Sequence, residues 1–335
     1  MSDAFGATIL GVGGLQLSAG EAAFFRRSDP FGFILFARNI DAPGQLRDLC
    51  AALRDTVGRD APILIDQEGG RVQRLRAPHW REWLPALDQV QAAGDAAAEV
   101  MRLRSRIIAH ELRAVGVDVN CAPLADIAGP GTHEFLRNRC YGEDAAGVAR
   151  VARAVADGLS EGGVLPVLKH IPGHGRAGAD SHLELPMADA GADTLRKSDF
   201  AAFRALNDLP LGMTAHLVYP AIDPRPATTS PVIMRLIRDE IGFDGLIMTD
   251  DISMKALRGN LDDLSRASRA AGCDVVLHCN GRLDEMRIVA DAAGRMGAAA
   301  QERAQRALAA RKTPTEVDIP GLEARLNTLM NGCAE

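Results

Sequence analysis

Eight apolar runs of strand length recur along the chain, and segments of helical period fill the spaces between them. The runs are Ala7–Val12, Gly32–Phe36, Pro62–Ile65, Val117–Cys121, Leu165–Leu168, Leu209–Thr214, Gly245–Thr249 and Cys273–His278. Most lack the alternation of a strand with one wet face, so they read as parallel strands covered on both sides. Several intervening helices carry start signals. Ser18-x-x-Glu21 is a capping-box pattern before Ala22–Arg26, Asp41 precedes Gln45–Val57, and Ser230-Pro231 sets a cap and a first-turn proline before Val232–Ile241. The remaining helical segments are Gly94–Val115 (one helix or two), Asp144–Ser160, Ala192–Leu206, Asn260–Ala271 and Leu283–Met296. Eight strand–helix units predict an α/β chain folded as a single (β/α)₈ TIM-type barrel, with room for irregularity. An open doubly wound sheet, usually built from fewer strands, is the alternative. No Pro/Ser-rich linker interrupts the pattern, so residues 1–311 are expected to form the barrel and 312–335 a tail with a short helix, Leu322–Met330, packed on it.

Polar residues decide between the two architectures, because barrel chemistry gathers at the C-terminal ends of the strands. Arg38 and Asn39 end the second run, and Asp66-Gln67-Glu68 the third. Asp126 and Arg139 lie beyond the fourth, Lys169 and His170 end the fifth, His216 follows the sixth, Asp250-Asp251 ends the seventh and His278 the eighth. The N-terminal ends show nothing comparable, so the asymmetry locates fold and site together.

The net charge of −6 and the lack of any basic run interleaved with aromatics argue against a nucleic-acid partner. No stretch approaches 18 continuous apolar residues, and Met1-Ser2-Asp3-Ala4 has no basic start, so no membrane span and a cytoplasmic location are expected. The six cysteines include no C-x-x-C pair, which fits a reducing compartment; Cys121 and Cys273, in strand-like runs, read as small buried hydrophobes.

The densest chemistry lies in Lys169-His170-Ile171-Pro172-Gly173-His174-Gly175 and Asp180-Ser181-His182, a glycine-rich loop after the fifth run. One histidine there could simply bond to backbone; three histidines, a lysine and an aspartate within 14 residues fit that poorly. A carboxylate two residues before an imidazole can fix its tautomer and raise its basicity, although in isolation Asp180–His182 would read as a surface turn. Of Asp250 and Asp251, adjacent at a strand end, one should face the mouth and the other the wall, where it caps the next element. Lys169, His170, Arg74 and Arg139 supply donors for hydroxyl, acetamido or carboxylate groups, and Asp66 a bidentate acceptor for sugar hydroxyls; singly, each could be a structural ion pair. A metallohydrolase site from His170, His174, His182, His216 and Asp250 is the rival arrangement. Pro172-Gly173 inside His170-x-x-x-His174 denies it helical i, i+4 geometry, so no metal and no cofactor are expected.

These blocks resemble family 3 glycoside hydrolases, and more narrowly their single-domain bacterial β-N-acetylglucosaminidase branch. Lys169–Gly175 with Asp180-Ser181-His182 is similar to the branch's K-H-[FI]-P-G-H-G…D-S-H signature. Gly32–Asn39, Ile65–Arg74 (I-D-Q-E-G-G-R-V-Q-R) and Gly242–Met254 (G-F-D-G-L-I-M-T-D-D-I-S-M) agree, and the likeness runs from about Leu10 to about Gly281. The resemblance implies a retaining exo-β-N-acetylglucosaminidase. Asp250 would be the nucleophile and His182, paired with Asp180, the acid/base, while Asp66, Arg74, Arg139, Lys169 and His170 would hold the sugar ring. The implied substrate is terminal GlcNAc on β-linked muropeptides during peptidoglycan recycling, handled by a monomer. A metal-dependent barrel hydrolase, a β-N-acetylglucosaminide phosphorylase and a non-catalytic sugar-binding barrel are the alternatives. Leu136–Gly142 departs from the family's I-G-D-R-A-[FY]-G: Arg137 stands for a glycine and Asn138 for an aspartate, which leaves Arg137 competing with Arg139 for the ligand.

Overall fold

The computed structural model describes residues 4–178 and 185–332. All eight apolar runs form strands: β1 Gly6–Gly11, β2 Pro30–Leu35, β3 Ile63–Ile65, β4 Val119–Asn120, β5 Leu165–Ile171, β6 Leu211–Thr214, β7 Leu246–Met248 and β8 Val276–His278. Each pairs in parallel with its chain neighbours, and β8 pairs back onto β1, with Leu10 opposite His278. A parallel bridge between Met248 and Val275 joins β7 to the approach of β8 and closes the ring. The fold is therefore the expected (β/α)₈ barrel, not an open sheet.

Strand periodicity sorts the apolar residues into two cores, because successive side chains point to opposite faces. Ile9, Leu64, Val167, Met213 and Met248 pack together inside the barrel. Leu10, Ile63, Ile65, Leu168 and Ile247 pack outward against the helices. The start signals at Ser18 and Ser230 act as anticipated, whereas Asp41 does not cap its helix, which runs from Pro43 to Val57 behind Ala42 with no side-chain cap and a first-turn proline instead. Ser18 and Glu21 form a capping box for Ala19–Ser28, and Asp144, Ser230 and Asn260 each accept a backbone N–H of the first turn they precede.

The expected segment Gly94–Val115 is one long helix, Ala97–Ala114, entered through a short turn; Gly94, at φ 50°, separates it from a further helix, Ala86–Ala93, that was not anticipated. Two helical segments differ from expectation. The segment expected as one helix over 192–206 breaks at Ser198, whose single hydroxyl proton has the Thr194 carbonyl at 2.8 Å and the Asp199 carboxylate at 2.6 Å as alternative acceptors, so the side chain competes with the backbone ladder. The helix beginning at Pro231 widens into a π turn over Leu236–Ile241.

Two features frame the barrel. At the mouth, a short hairpin pairs Gln67–Gly69 with Val72–Gln73. It turns through Gly69 (φ 107°) and Gly70 (φ 55°), and a Cβ on Gly69 would lie 1.7 Å from Arg104 Nη2. At the opposite end, buried aspartates are clamped by arginines: Asp118 by Arg54 and Arg311 at 3.2 and 3.0 Å, and Asp274 by Arg238 and Arg303 at 2.7 and 3.1 Å. Beyond Arg311, the helix Ile319–Gly332 lies against Ala97–Ala114, with Leu326 beside Leu103 and Ile107. Among the described residues, no helix is long and apolar enough to cross a membrane.

Candidate active site

A cavity of about 270 Å³ opens at the C-terminal end of the barrel. Asp66, Arg74, Arg139, Lys169, His170 and Asp250 all line it, so residues scattered over 185 positions of sequence meet in one place. Asp180 and His182 lie outside the described residues. Ile34, Phe36, Met213, Met254 and Leu277 add apolar wall. A polar ligand with an apolar ring face suits that mixture.

The floor is an ion network. Asp66 accepts from Arg74 Nη2 at 2.9 Å through one oxygen and from Lys169 Nζ at 3.1 Å through the other. Lys169 Nζ also contacts Glu68 Oε1 at 2.6 Å. Arg139 grips Glu68 with two parallel bonds, Nη2 at 2.8 Å and Nε at 2.9 Å. Burial alone would raise both carboxyls, but Lys169 and Arg74 hold Asp66 well below the usual carboxylate range, and Arg139 and Lys169 hold Glu68 at about 2. Burial would lower the Lys169 ammonium; Glu68 and Asp66 outweigh it and raise it instead. Every member is therefore charged near neutral pH, and fixed charges of both signs face the ligand space.

Glu68 is the member that reading the sequence did not assign a role. The signal was present in Asp66-Gln67-Glu68-Gly69-Gly70: two glycines with positive φ turn the hairpin so that Arg74 returns to Asp66. The two competing arginines part in position. Arg137 bonds Glu143 at 2.5 Å and the Gly129 carbonyl at 2.7 Å, outside the cavity wall, whereas Arg139 lines it.

A second unit stands beside this floor. Asp126, fully buried beyond β4, faces His170 Nδ1 at 2.7 Å and accepts the His174 backbone N–H at 2.6 Å. An ionised carboxylate only accepts, so Nδ1 carries the proton and Nε2 is the ring's other polar atom. Burial, reinforced by His170, pushes His174 down to about 4, so that ring is neutral.

The aspartate pair divides its work. Asp251 accepts from Ser253 N–H, Ser253 hydroxyl and Cys279 N–H at 3.1, 2.9 and 3.2 Å, which makes it the pin of the β7 and β8 loops. Asp250 Oδ1 accepts only the Asp251 N–H, at 2.8 Å, among the hydrogen bonds of the described residues. Burial would raise Asp250, but the imidazoles of His216 and His170, the Asp251 N–H and Lys169 keep it below the ordinary value, hence ionised. Both carboxylates reach the cavity wall, so the expected division of one to the mouth and one to the barrel wall holds in bonding more than in exposure.

Of the metal arrangement weighed from the sequence, His182 lies outside the described residues and two of the other histidines are already bonded within the protein. His216 has both ring nitrogens bonded within the protein, Nδ1 to Thr228 at 2.7 Å and Nε2 to the Asp251 carbonyl at 3.0 Å, and His170 Nδ1 is taken by Asp126. Among the described residues, no three His, Cys, Asp or Glu side chains converge at ligand spacing.

A barrel mouth with a singly anchored carboxylate above a charged, hydroxyl-matching floor defines a carbohydrate-processing enzyme. Residues 20–310 match the glycosyl hydrolase family 3 N-terminal domain, and the chain belongs to that family. It is 38% identical over 284 residues to a beta-hexosaminidase of Pseudomonas aeruginosa, covering 83% of each chain. A beta-hexosaminidase of Alkalilimnicola ehrlichii is 39% identical over 284 residues, covering 82% of this chain and 81% of that one. Among solved structures, NagZ from Neisseria gonorrhoeae in complex with N-trifluoroacetyl-D-glucosamine superposes with a TM-score of 0.86 at 30% identity, covering 99% of both chains.

Proposed function

We propose that the chain is a retaining exo-β-N-acetylglucosaminidase. The relatives named beta-hexosaminidase support the activity, and a solved relative binds an N-acylated glucosamine. The observation that carries the reading is Asp250: an ionised carboxylate anchored at one oxygen, on the same cavity as the Asp66–Arg74–Lys169–Glu68–Arg139 network.

In this reading Asp66, Arg74, Arg139, Lys169 and His170 hold the sugar. Asp250 attacks the anomeric carbon while His182, oriented by Asp180, gives its proton to the departing oxygen. A covalent glycosyl-enzyme forms; His182 then takes a proton from water, which displaces Asp250, and two inversions leave the configuration retained. The usual pair of carboxylates becomes one carboxylate and one imidazole, which avoids repulsion between two anions. The substrate is terminal non-reducing GlcNAc on β-linked muropeptides of peptidoglycan recycling, in the cytoplasm. The enzyme acts as a monomer on one barrel of residues 1–311, with residues 312–335 as its tail, and needs no metal.

Hydrolysis of an aryl β-N-acetylglucosaminide by wild type and Asp250→Ala, with and without chelator, tests this. Chelator-resistant activity that disappears in the variant is expected. Chelator-abolished activity, or substantial turnover by Asp250→Ala, would overturn it. Release of a sugar 1-phosphate in phosphate buffer would make the acceptor phosphate instead of water.

A further inference from the structure

The nucleophile's immediate support comes from a residue that, among the described residues, makes no hydrogen bond to any of the sugar-holding groups. His216 follows β6, is fully buried, and stands behind the cavity wall, not in it. Its Nε2 lies 3.0 Å from the Asp251 carbonyl oxygen. A carbonyl only accepts, so Nε2 carries the proton. Burial pushes the ring below its ordinary value, so it is neutral and Nδ1 is an acceptor. Thr228 Oγ1, 2.7 Å away, is then its donor. Thr228 has a second acceptor in range, the Ala215 carbonyl at 3.1 Å, but only one proton, and the ring needs it. The Thr228 oxygen is free to accept from Thr214 Oγ1 at 2.9 Å. Thr214, Thr228 and His216 are all fully buried, so no water competes for these bonds.

The bonds have one direction: Thr214 donates to Thr228, Thr228 to His216, and His216 to the Asp251 carbonyl. That carbonyl also receives the Met254 N–H at 3.0 Å and so closes the turn after β7. At its other end, residue Asp251 gives its N–H to Asp250 Oδ1 at 2.8 Å. The chain thus fastens the β7 loop to the end of β6 one residue from the carboxylate that must meet the anomeric carbon.

We infer that His216, with its tautomer set by Thr228, is a positioning residue for Asp250: it fixes the Asp251 backbone that holds the nucleophile's Oδ1. This rests on Asp250 being the nucleophile. Its signature is a loss in turnover and not in sugar binding, because Asp66, Arg74, Arg139 and Lys169 are untouched. A misplacement of about 1 Å at a reacting atom costs up to roughly 100-fold in rate.

The test compares His216→Phe with His216→Gln, whose amide nitrogen reaches where Nε2 stands. Turnover of an aryl β-N-acetylglucosaminide is normalised to the folded fraction from near-ultraviolet circular dichroism. His216→Phe is expected to lower kcat by about 10- to 100-fold with KM within about threefold, and His216→Gln to recover most of it. Unchanged kcat in His216→Phe, or equal losses in both variants, would overturn the role. Should His216→Phe fail to fold, Thr228→Val removes the ring's partner at constant shape. A smaller kcat loss, reversed by Thr228→Ser, is then expected, and no loss would overturn the role. Asp250→Ala is measured alongside. Turnover there would sink the nucleophile reading itself, whereas an inactive Asp250→Ala with unaffected His216 variants sinks only the positioning.

Discussion

Replacing Glu68 by glutamine keeps the shape of the pocket floor and removes its central anion. The carboxylate is 3% exposed and accepts three charge-assisted bonds, two from Arg139 and one from Lys169. Against the cost of burial, these partners hold it at about 2 where a free glutamate sits at 4.5, a preference for the ionised form of about 3 kcal/mol. The glutamine must also turn an N–H₂ toward a donor, and breaking one partner of a buried pair typically costs about 3–5 kcal/mol. We therefore expect about 3 kcal/mol of lost stability near pH 7, read as a fall of roughly 4 °C in the thermal midpoint of a chain of 335 residues. The sign in pH follows from the depressed folded value. The contribution is complete above about 4.5 and fades as pH falls toward 2, so the deficit of the variant shrinks by about pH 3. Arg139 and Lys169 lose their shared anchor, and KM for an aryl β-N-acetylglucosaminide should rise about tenfold, a loss of the size of one charge-assisted hydrogen bond. An unchanged midpoint near pH 7, or a deficit just as large near pH 3, would refute the network's role.

Three further outcomes follow from the same geometry. Arg139→Ala should raise KM at least about tenfold, while Arg137→Ala, which loses only its bonds to Glu143 and the Gly129 carbonyl, should stay within about twofold; equal effects would reopen the choice between them. Gly69→Ala should destabilise by about 2 kcal/mol or more in urea unfolding, since φ is 107° and the new Cβ would meet Arg104 and the Leu84 carbonyl; a wild-type midpoint would show that the hairpin is not clamped. Asp126→Asn leaves His170 without its carboxylate and should lower kcat/KM by about 10-fold or more at constant fold; full activity would mean that the dyad does not set the His170 tautomer.

The barrel was legible because its strands are buried on both faces: runs such as Leu165–Leu168 and Gly245–Thr249 carry few polar residues until the strand ends, where the polar residues gather. Capped helices were legible for the same local reason, as Ser18 with Glu21 shows. What the sequence did not reveal depends on tertiary pairing. The Ser198 hydroxyl that breaks its helix sits beside Asp199, which Arg176 holds at 2.8 Å from a different loop. Glu68 looked like one acidic residue of three, because its partners Arg139 and Lys169 are 71 and 101 positions away. His216 looked like a possible ligand, and only its two bonded nitrogens show otherwise. Arg137 and Arg139 were indistinguishable by type; the short helix Glu134–Arg137 decides which one turns inward.

The most direct test of the account is the identity of the residue that carries the sugar. An activated fluorinated N-acetylglucosaminide, slow to leave the enzyme, would be incubated with wild type, and the digested protein mapped by mass spectrometry. The account predicts one glycosyl group, esterified to Asp250 in the peptide that includes Thr249–Met254. A glycosyl group on any other residue, or turnover with inversion and no adduct at all, would contradict it.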